Sequence, residues 1–355
     1  MQTIAALPFF KLGPWKPIPG VEWLTIYSFG MFVALGLIVC LAMATWRGEK
    51  KLGFDGEKVQ NYGLFLIVVG WIFAHVFNVI FYSPDKVLEN PLIILKVWGS
   101  ISSYGGLLGG MIGIWLWRWM HPDDDFMLWV DHATWTLTFA WMFGRLGCAS
   151  VHDHIGVVAP EWWPLAFDVP STYGGGIRHD LGFYEFLWWI VIVTTVMLVD
   201  RKPRKKGIYT VIVPLMYAPI RFTLDFLRLW PAPEDGSYDI PAHTQWFLDL
   251  FGATPESMVV FRDQVYMVTA PLETSQLPEG FFTEGTTYFA DARYFGFTPA
   301  QYLSMGLFAL GIIMWFRIKD NEVVEWKEFD PSERRRGSGD GQRSSPGEDQ
   351  KTGEG

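Results

Sequence analysis

Residues 144–156, with the sequence GRLGCASVHDHIG, carry the side chains best suited to chemistry in this chain. They follow the apolar run FMLWVDHATWTLTFAWMF, which is long enough to cross a bilayer. Arg145 therefore lies at or just inside a membrane boundary, where an unpaired guanidinium group is costly. Either this side chain extends to the lipid headgroups, or a partner or substrate neutralises it at a functional site.

A second charged cluster ends another apolar run, in the sequence YAPIRFTLDFLR at residues 217–228. Arg221, Asp225 and Arg228 follow a helical spacing that would place all three on one face. Asp225 and Arg228 fit an ordinary boundary ion pair, whereas Arg221 lies deeper and should face the bundle interior or a wet cavity. Because a guanidinium group binds phosphate through two parallel hydrogen bonds, we predict that Arg145 and Arg221 share a phosphate headgroup as their ligand.

Two further polar positions bear on this site. Residues 177–186, with the sequence IRHDLGFYEF, bring His179, Tyr184 and Glu185 to the start of an apolar run. Glu185 either balances the charge of the arginines or caps its helix. Asp131 lies about 21 Å along a helix from the arginine of its own run, so we expect it to have a structural role.

Residues 102–113, with the sequence SSYGGLLGGMIG, open another apolar run. Gly105 and Gly106 begin a series of small residues spaced four apart, which either lets helices pack closely or lets backbone N–H groups approach an anion. The triplet HDH at residues 152–154 is only a weak indication of a metal, since the loop offers no further clear ligand. We predict no metal site and no cofactor.

The composition places these clusters in a membrane protein. Half of the 355 residues are apolar, 17% are aromatic and only 18% are charged. The net charge of −9 is unevenly spread, and the absence of a sustained basic stripe argues against nucleic acid as a partner. Cys40 and Cys148 lie in or beside separate apolar runs and offer no disulfide framework.

Seven apolar runs have the length, or nearly the length, that a spanning helix needs. They cover residues 23–45, 62–82, 104–117, 126–144, 183–199, 207–229 and 299–317. We therefore predict an all-α membrane protein with seven transmembrane helices. Basic residues recur in every second connection, which predicts that these connections are cytoplasmic. The N-terminus is then outside and the C-terminus is in the cytoplasm.

Two segments are not predicted to span the membrane. Residues 231–298 combine acidic side chains with Pro, Gly, Trp and Phe and show no helical period. We predict a folded extracytoplasmic insert between the sixth and seventh helices of a domain at residues 1–320. Residues 321–355 consist mainly of Gly, Ser and charged residues, which predicts a disordered cytoplasmic tail.

Taken together and in order, these motifs resemble those of the prolipoprotein diacylglyceryl transferases, which are bacterial membrane enzymes with seven helices. Residues 144–156 fit without gaps a family signature similar to G-R-x-G-N-F-x-N-x-E-x-x-G, with Asp153 in place of the glutamate. The sequences YGGLLG, HDLGFYE and YAPIRFTLDFLR are similar to the family motifs H-G-G-x-x-G, H-P-x-x-x-Y-E and Y-x-x-x-R-x-x-x-E-x-x-R. The resemblance covers residues 20–230 and the last helix.

The resemblance implies that the chain transfers the diacylglyceryl group of phosphatidylglycerol to the lipobox cysteine in the signal peptide of preprolipoproteins. A thioether forms and glycerol phosphate leaves, in the first step of lipoprotein maturation at the bacterial cytoplasmic (inner) membrane. Arg145 and Arg221 would be catalytic residues that bind the phosphate, and Gly105 and Gly106 would shape the headgroup pocket. The other substrate-binding residues that the resemblance implies are Asp153, Gly156, Glu185 and Arg228.

The chain departs from the family motifs at positions that matter for the chemistry. Tyr104 stands where the family has a histidine that is considered essential in its characterised members. Cys148 replaces the first asparagine of the signature. The proton acceptor of the reaction would then be Tyr104, a third catalytic residue, or one of the histidines His152 and His154 on the signature loop.

These losses also favour an alternative function. A non-catalytic relative could keep the lipid pocket and bind anionic phospholipid or lipoprotein precursors without transferring anything. An unrelated receptor or transporter with seven helices is a third hypothesis. Against it, residues 301–316 contain no lysine that could hold a retinal, and the chain shows no internal repeat.

Overall fold

The computed structural model describes residues 6–18, 25–82, 84–96, 101–160, 162–170, 176–228, 246, 259–261, 264–266, 295 and 297–330. The helices in this part of the chain are α1 (Ser28–Lys51), α2 (Gly56–Tyr82), α3 (Pro84–Glu89), α4 (Ser103–Met120), α5 (Phe126–Val151), α6 (Leu181–Val199), α7 (Ile208–Leu224) and α8 (Pro299–Arg317). All of them except the short α3 correspond in order to the predicted spans. Short 3₁₀ turns lie at Pro91–Leu95, Asp225–Leu227 and Ile318–Asp320.

The structure is mostly helical, as expected of an all-α membrane protein. The stretches long and apolar enough to cross a membrane, within the described residues, are Ser28–Lys51, Gly56–Phe81, Leu181–Val199, Ile208–Leu227 and Pro299–Asp320. The helices α4 and α5 match the other two predicted spans, but glycine and tryptophan in α4 and polar side chains in α5 lower their hydropathy. That all seven helices cross the membrane stays a prediction.

The helix α5 extends further than the sequence predicted, to Val151 instead of residue 144. Its last turns pack against α1, where an added Cβ atom on Gly147 would lie 3.2 Å from the carbonyl oxygen of Phe29. The helix ends before His152, whose φ of 51° lies in the left-handed region. Arg145 therefore projects from a regular helix, and only the residues after Val151 form a loop.

Small residues let α4 approach α2 closely. An added Cβ atom on Gly109 would lie 2.5 Å from Cβ of Phe73 and 2.9 Å from Cα of Gly70. One on Gly105 would lie 2.6 Å from Cβ of Phe77. Glycine at helix interfaces permits this close approach of two backbones. At these positions the glycine series serves helix packing, one of the two interpretations that the sequence left open.

A core of aromatic and aliphatic side chains joins α5, α6 and α7. Its buried members are Trp135, Phe139, Trp189, Ile192, Val193, Val196, Tyr209, Val213 and Tyr217. The same three helices carry the charged residues of the predicted phosphate site. The packing of this core therefore sets the relative positions of those charged residues.

A small sheet covers one end of α5 and α6. Its strands are β1 (Leu7–Pro8), β2 (Ile155–Val158), β3 (Phe167–Val169) and β4 (Gly176–Asp180), in the order β1-β3-β4-β2. The pair β1 and β3 is parallel, and the other two pairs are antiparallel. The strand β4 leads directly into α6, whose N-cap Asp180 accepts a hydrogen bond from the backbone N–H of Phe183 at 2.9 Å. Since β2 follows α5, the sheet ties the end of α5 to the start of α6.

A network of buried charges closes the opposite end of the bundle. Asp131 has the structural role that we expected, because its Oδ1 accepts hydrogen bonds from the backbone N–H groups of Tyr209 at 2.7 Å and of the next residue at 3.3 Å. This carboxylate caps the start of α7. Nearby, Asp200 pairs with Arg47 at 3.1 Å and with Lys51 at 2.9 Å.

The first residues of the predicted tail are ordered against this end. The backbone N–H of Val324 donates to the carbonyl oxygen of Arg204 at 2.8 Å, and that of Lys327 donates to Lys51 at 3.0 Å. The prediction of disorder from residue 321 therefore does not hold as far as residue 330. Backbone hydrogen bonds need no apolar side chain, so composition does not predict them. Residues 331–355 lie outside the described residues.

The predicted insert at residues 231–298 also lies largely outside the described residues. Within it, β5 (Val259–Phe261) pairs with β6 (Gln264–Tyr266) as an antiparallel hairpin. The position of the insert relative to a membrane stays a prediction.

Replacing Gly109 by alanine should lower the free energy of unfolding by about 1–3 kcal/mol, because the new methyl group overlaps Phe73 and Gly70 on α2. Gly110→Ala is the matched control, since an added Cβ atom there meets nothing within 4 Å. Thermal unfolding of both variants in detergent micelles measures the difference. Equal unfolding midpoints for the two variants would contradict the close packing of α2 and α4 at this position.

Candidate functional site

Glu185 joins three helices at the end of the bundle that carries the sheet. It lies in the second turn of α6, and its side chain is 1% exposed. Its Oε2 is 3.0 Å from Nε of Arg145 on α5, and its Oε1 is 2.5 Å from Nη1 of Arg221 on α7. The hydroxyl of Tyr217, also on α7, donates a hydrogen bond to Oε2 at 3.1 Å. One carboxylate thus holds two buried guanidinium groups side by side.

A second carboxylate, Asp225, continues the charged group where α7 ends. Its Oδ1 is 3.1 Å from Nη2 of Arg221 and 2.9 Å from Nε of Arg228. Its Oδ2 accepts a hydrogen bond from the hydroxyl of Thr298, the N-cap of α8. Arg228 follows a 3₁₀ turn and has an extended backbone, so it does not continue the face of α7 as the sequence predicted. We refer to Arg145, Glu185, Arg221, Asp225 and Arg228 as the arginine cluster.

Arg145 and Arg221 each have one buried guanidinium N–H group that is unsatisfied. The two groups are Nη2 of Arg145 and Nε of Arg221, and no acceptor among the described residues makes a hydrogen bond with either atom. A buried donor without an acceptor costs about 1–3 kcal/mol, and in native structures such a group calls for an explanation such as a ligand. The two arginines therefore offer free donors and positive charge to an anion, which are the features that bind phosphate.

Tyr104 lies beside Arg221, in the first turn of α4. The centroid of its ring is 5.8 Å from Cζ of Arg221, a distance at which the ring and the cation attract each other. Its hydroxyl is 2.6 Å from Oγ of Ser304 on α8. The ring of this buried side chain thus lies against the arginine cluster while its hydroxyl is engaged by α8. The sequence did not indicate Ser304 as part of the site.

Gly105 and Gly106 follow Tyr104 in the first turn of α4. The N–H of Gly105 donates to Oγ of Ser102 at 3.4 Å, and the N–H of Gly106 donates to the carbonyl oxygen of Ser102 at 3.0 Å. Both N–H groups are therefore used at the start of the helix itself. Contact between these glycines and a headgroup stays a prediction, and an anion would have to compete with Ser102 for their N–H groups.

His152 belongs to the sheet and not to the arginine cluster. Its Nδ1 is 2.5 Å from Oδ2 of Asp180, and its Nε2 is 2.9 Å from the carbonyl oxygen of Phe10. The ring also stacks on Phe9, with 4.2 Å between the centroids. Both ring nitrogens face oxygen atoms of the protein, so neither nitrogen is directed at a substrate. Of the two histidines on the signature loop, only His154 therefore stays a candidate for the proton acceptor.

His154 lies at the arginine cluster. Its Nε2 is 3.4 Å from Nη1 of Arg145, and its Nδ1 is 2.7 Å from Oδ1 of Asp153. Burial favours the neutral form of Asp153, but the neighbouring His154 and Arg145 outweigh burial and hold the pKa of this carboxyl below its ordinary value. The left-handed backbone conformation of His152 thus places His152 and His154 in different surroundings.

Cys148, Asp153 and His154 could be taken for metal ligands. Each residue offers one ligand atom, and these atoms lie within 4.8 Å of one another. However, Nη1 of Arg145 is 4.0 Å from Sγ of Cys148 and 3.4 Å from Nε2 of His154. A cation at this point would be repelled by the guanidinium group, so the charges favour an anion there.

Gly156 lets the signature loop lie close to the end of α7. An added Cβ atom on this residue would lie 2.6 Å from the carbonyl oxygen of Leu227. Because no side chain fits between the two backbones, glycine is required for this approach. The contact fixes the chain after His154 and so supports the position of that histidine over the arginine cluster.

His179 and Tyr184 brace the start of α6 beside Glu185. Nδ1 of His179 is 2.9 Å from the hydroxyl of Tyr184, which also accepts a hydrogen bond from Nε1 of Trp163 at 2.8 Å. The same hydroxyl donates to the carbonyl oxygen of Leu165 at 3.2 Å. Burial lowers the pKa of His179 to about 4, so its imidazole is neutral at physiological pH. These residues position Glu185 without contacting the arginines.

A family model described as prolipoprotein diacylglyceryl transferase matches residues 20–317, which include the whole arginine cluster. Among similar proteins are several named phosphatidylglycerol–prolipoprotein diacylglyceryl transferase. The one from Chromohalobacter salexigens is 29% identical over 233 residues, covering 63% of this chain and 79% of the relative. The one from Acinetobacter baumannii is 26% identical over 220 residues, covering 58% and 76%. The one from Xylella fastidiosa is 26% identical over 261 residues, covering 64% and 82%.

The stability of the protein should fall as the pH drops from about 6.5 to about 4, because His179 binds a proton in this range only when the chain is unfolded. The loss from this group should reach about 2–3 kcal/mol at the lower end. Denaturant unfolding in micelles at neutral and acidic pH would compare the wild type with His179→Asn, which keeps a donor for Tyr184 but does not titrate. The variant should lose less stability on acidification. Equal losses would show that another group is responsible.

Proposed function

Because the chain belongs to the prolipoprotein diacylglyceryl transferase family, we propose that it moves the diacylglyceryl group of phosphatidylglycerol onto preprolipoproteins. The acceptor is the lipobox cysteine of the signal peptide. A bond forms between the cysteine sulfur and the terminal glyceryl carbon, and the bond from that carbon to the phosphate oxygen breaks. The products are a thioether and glycerol phosphate, and the thiol proton passes to a base.

The arginine cluster is the observation that supports this proposal. Arg145 and Arg221 each have an unsatisfied buried N–H group, and both form ion pairs with the carboxylate of Glu185. In the reaction, the phosphate gains negative charge as its bond to the glyceryl carbon breaks. Positive groups that are fixed before the reaction stabilise this added charge more than they stabilise the substrate. The two arginines are therefore catalytic residues as well as binding residues.

The same positive charge acts on the acceptor. A free cysteine thiol has a pKa of about 8.5, so only a small fraction is ionised at neutral pH. Guanidinium groups close to the reacting carbon favour the thiolate over the thiol. One electropositive site thus serves both the leaving group and the nucleophile.

The remaining residues of the proposed site hold or line the headgroup. Tyr104 stands at the position of the family histidine, with its ring on Arg221, and lines the site on that side. Glu185 fixes the spacing of the two arginines. The residues that complete the lining around the headgroup are Gly105, Gly106, Asp153, Gly156 and Arg228.

We place the protein in the bacterial cytoplasmic (inner) membrane as a seven-span protein, with the arginine cluster in the outer half. Lys51 and Lys206 lie at the end opposite the sheet. Because positive residues are more frequent on the cytoplasmic side of membrane proteins, we assign this end to the cytoplasm. The N-terminus, the sheet and residues 231–298 are then outside, and the C-terminus is inside.

A second candidate function is supported by Tyr104. Its buried hydroxyl is bonded to Ser304 at the position where the family motif has a histidine. A chain that lacked a proton acceptor would still bind anionic phospholipid or lipoprotein precursors at the arginine cluster. Such a protein would be a non-catalytic relative of the transferases.

Arg145→Lys and Arg221→Lys should each lower the rate of transfer by about 100-fold or more, because an ammonium group cannot make two parallel hydrogen bonds to phosphate. Arg201→Lys is the matched control, since this arginine is exposed in the α6–α7 connection. The measurement is transfer from phosphatidylglycerol to a lipobox peptide by purified protein. Near-normal rates in both cluster variants would refute the assignment of phosphate to these arginines.

Single cysteines at Asp168 and Lys202, two exposed positions at opposite ends of the bundle, should react differently in intact cells. A membrane-impermeant thiol reagent should label Asp168→Cys and leave Lys202→Cys unlabelled until the membrane is opened. Labelling of the wild type, which contains Cys40 and Cys148, gives the background. The reversed pattern would place the arginine cluster in the wrong leaflet and overturn the proposed topology.

A further inference from the structure

The neighbours of His154 indicate which of its ring nitrogens carries the proton. Its Nε2 is 3.4 Å from Nη1 of Arg145, and its Nδ1 is 2.7 Å from Oδ1 of Asp153. A guanidinium group can only donate hydrogen bonds, so Nε2 must present its lone pair to Arg145. The ring proton then lies on Nδ1, on the side of the Asp153 carboxylate. The lone pair of Nε2 thus lies beside the arginine that we propose to bind phosphate.

A similar pairing of a carboxylate with a histidine occurs in hydrolytic triads. There, a carboxylate holds one ring nitrogen, and the other nitrogen takes the proton of the nucleophile. The side chain of His154 is 22% exposed, so a substrate group can reach it. The distance of 3.4 Å between Nε2 of His154 and Nη1 of Arg145 is longer than in a normal hydrogen bond. A phosphate that binds the guanidinium group would therefore replace this weak contact at little cost.

The other candidates for a proton acceptor are engaged elsewhere. His152 faces an oxygen acceptor with each ring nitrogen. The hydroxyl of Tyr104 is bonded to Ser304. His179 is fully buried and bonded to Tyr184. Among these candidate groups, only His154 combines partial exposure with a contact to Arg145.

We propose that His154 is the catalytic base of the transfer reaction and that Asp153 is its positioning residue, an inference that rests on the proposed function. Nε2 of His154 takes the proton of the lipobox thiol, and the thiolate attacks the terminal glyceryl carbon. The electron pair of the broken carbon–oxygen bond stays on the phosphate. The proton then passes from Nε2 to that phosphate, which returns the imidazole to its neutral form and requires no further reactant.

The test uses the full-length protein in mixed micelles with phosphatidylglycerol and a lipobox peptide. His154→Ala should lower turnover by about 100-fold to 10,000-fold, the usual contribution of a general base. Binding of phosphatidylglycerol should change by only a few fold, and added imidazole should restore part of the rate. Asp153→Asn should cause a smaller loss. The matched control is His121→Ala, at the α4–α5 connection, which should keep the wild-type rate.

The pH dependence of turnover separates a chemical role from a packing role. The wild-type rate should fall as the pH is lowered, because protonation occupies the lone pair of Nε2, and His154→Gln should lack this fall. The charged or titratable groups that face His154 from the neighbouring elements are Arg145, Cys148, Asp153, Glu185 and Arg228. These groups are unchanged in His154→Gln, so their titration would remain visible in the variant.

Two results would overturn the inference, and they can be told apart. If the wild type transfers lipid and both His154 variants keep its rate and its pH dependence, the base lies elsewhere, and a loss confined to Tyr104→Phe would assign it to Tyr104. If the wild type binds phosphatidylglycerol but transfers nothing, the proposed function fails, and the base fails with it. Should His154→Ala unfold, as its thermal midpoint would show, His154→Gln decides between these outcomes.

Discussion

Two buried guanidinium groups share one buried carboxylate, and the rest of the site depends on this arrangement. Charges removed from water are costly unless they are paired, and the Arg145–Glu185–Arg221 group pairs two cations with one anion inside the bundle. Removing only this carboxylate would leave Arg145 without its ion-pair partner and Arg221 with Asp225 alone, at a cost of about 3–5 kcal/mol. Since the three residues belong to α5, α6 and α7, the same ion pairs also set the distances between these helices. Stability and the proposed binding of phosphate thus depend on one set of contacts.

Contacts in the surrounding structure hold these three charged residues in place. Asp180 caps α6 and also binds His152, so one carboxylate fixes both the start of the helix and the loop that follows α5. Gly156 brings that loop against the end of α7. Asp225 accepts a hydrogen bond from Thr298 and so joins the last helix to the arginine cluster. A site built in this way meets its ligand with little reorganisation, which is the condition for strong electrostatic stabilisation of a transition state.

The sequence could predict the parts of the site that follow from regular spacing or from the cost of a charge in a membrane. Arg145 was identified in this way, because an arginine beside a spanning run needs an explanation. It could not decide between His152 and His154, since their difference comes from one left-handed backbone conformation that histidine does not specify. The contact between Tyr104 and Ser304 joins residues 200 positions apart, and periodicity carries no information over that distance. For the ordered start of the C-terminal tail, composition was misleading because the contacts are made by the backbone.

The position of α8 has a consequence for how the protein is made. Thr298 and Ser304 belong to α8, which leaves the ribosome after the other described helices, yet they bind Asp225 and Tyr104 in parts of the chain made much earlier. Until α8 has been inserted, these two earlier residues lack partners that the finished protein provides. The site is therefore assembled in the order of synthesis and completed only by the final helix. A nascent chain arrested before that point would hold both arginines in the bilayer with an unfinished binding site around them.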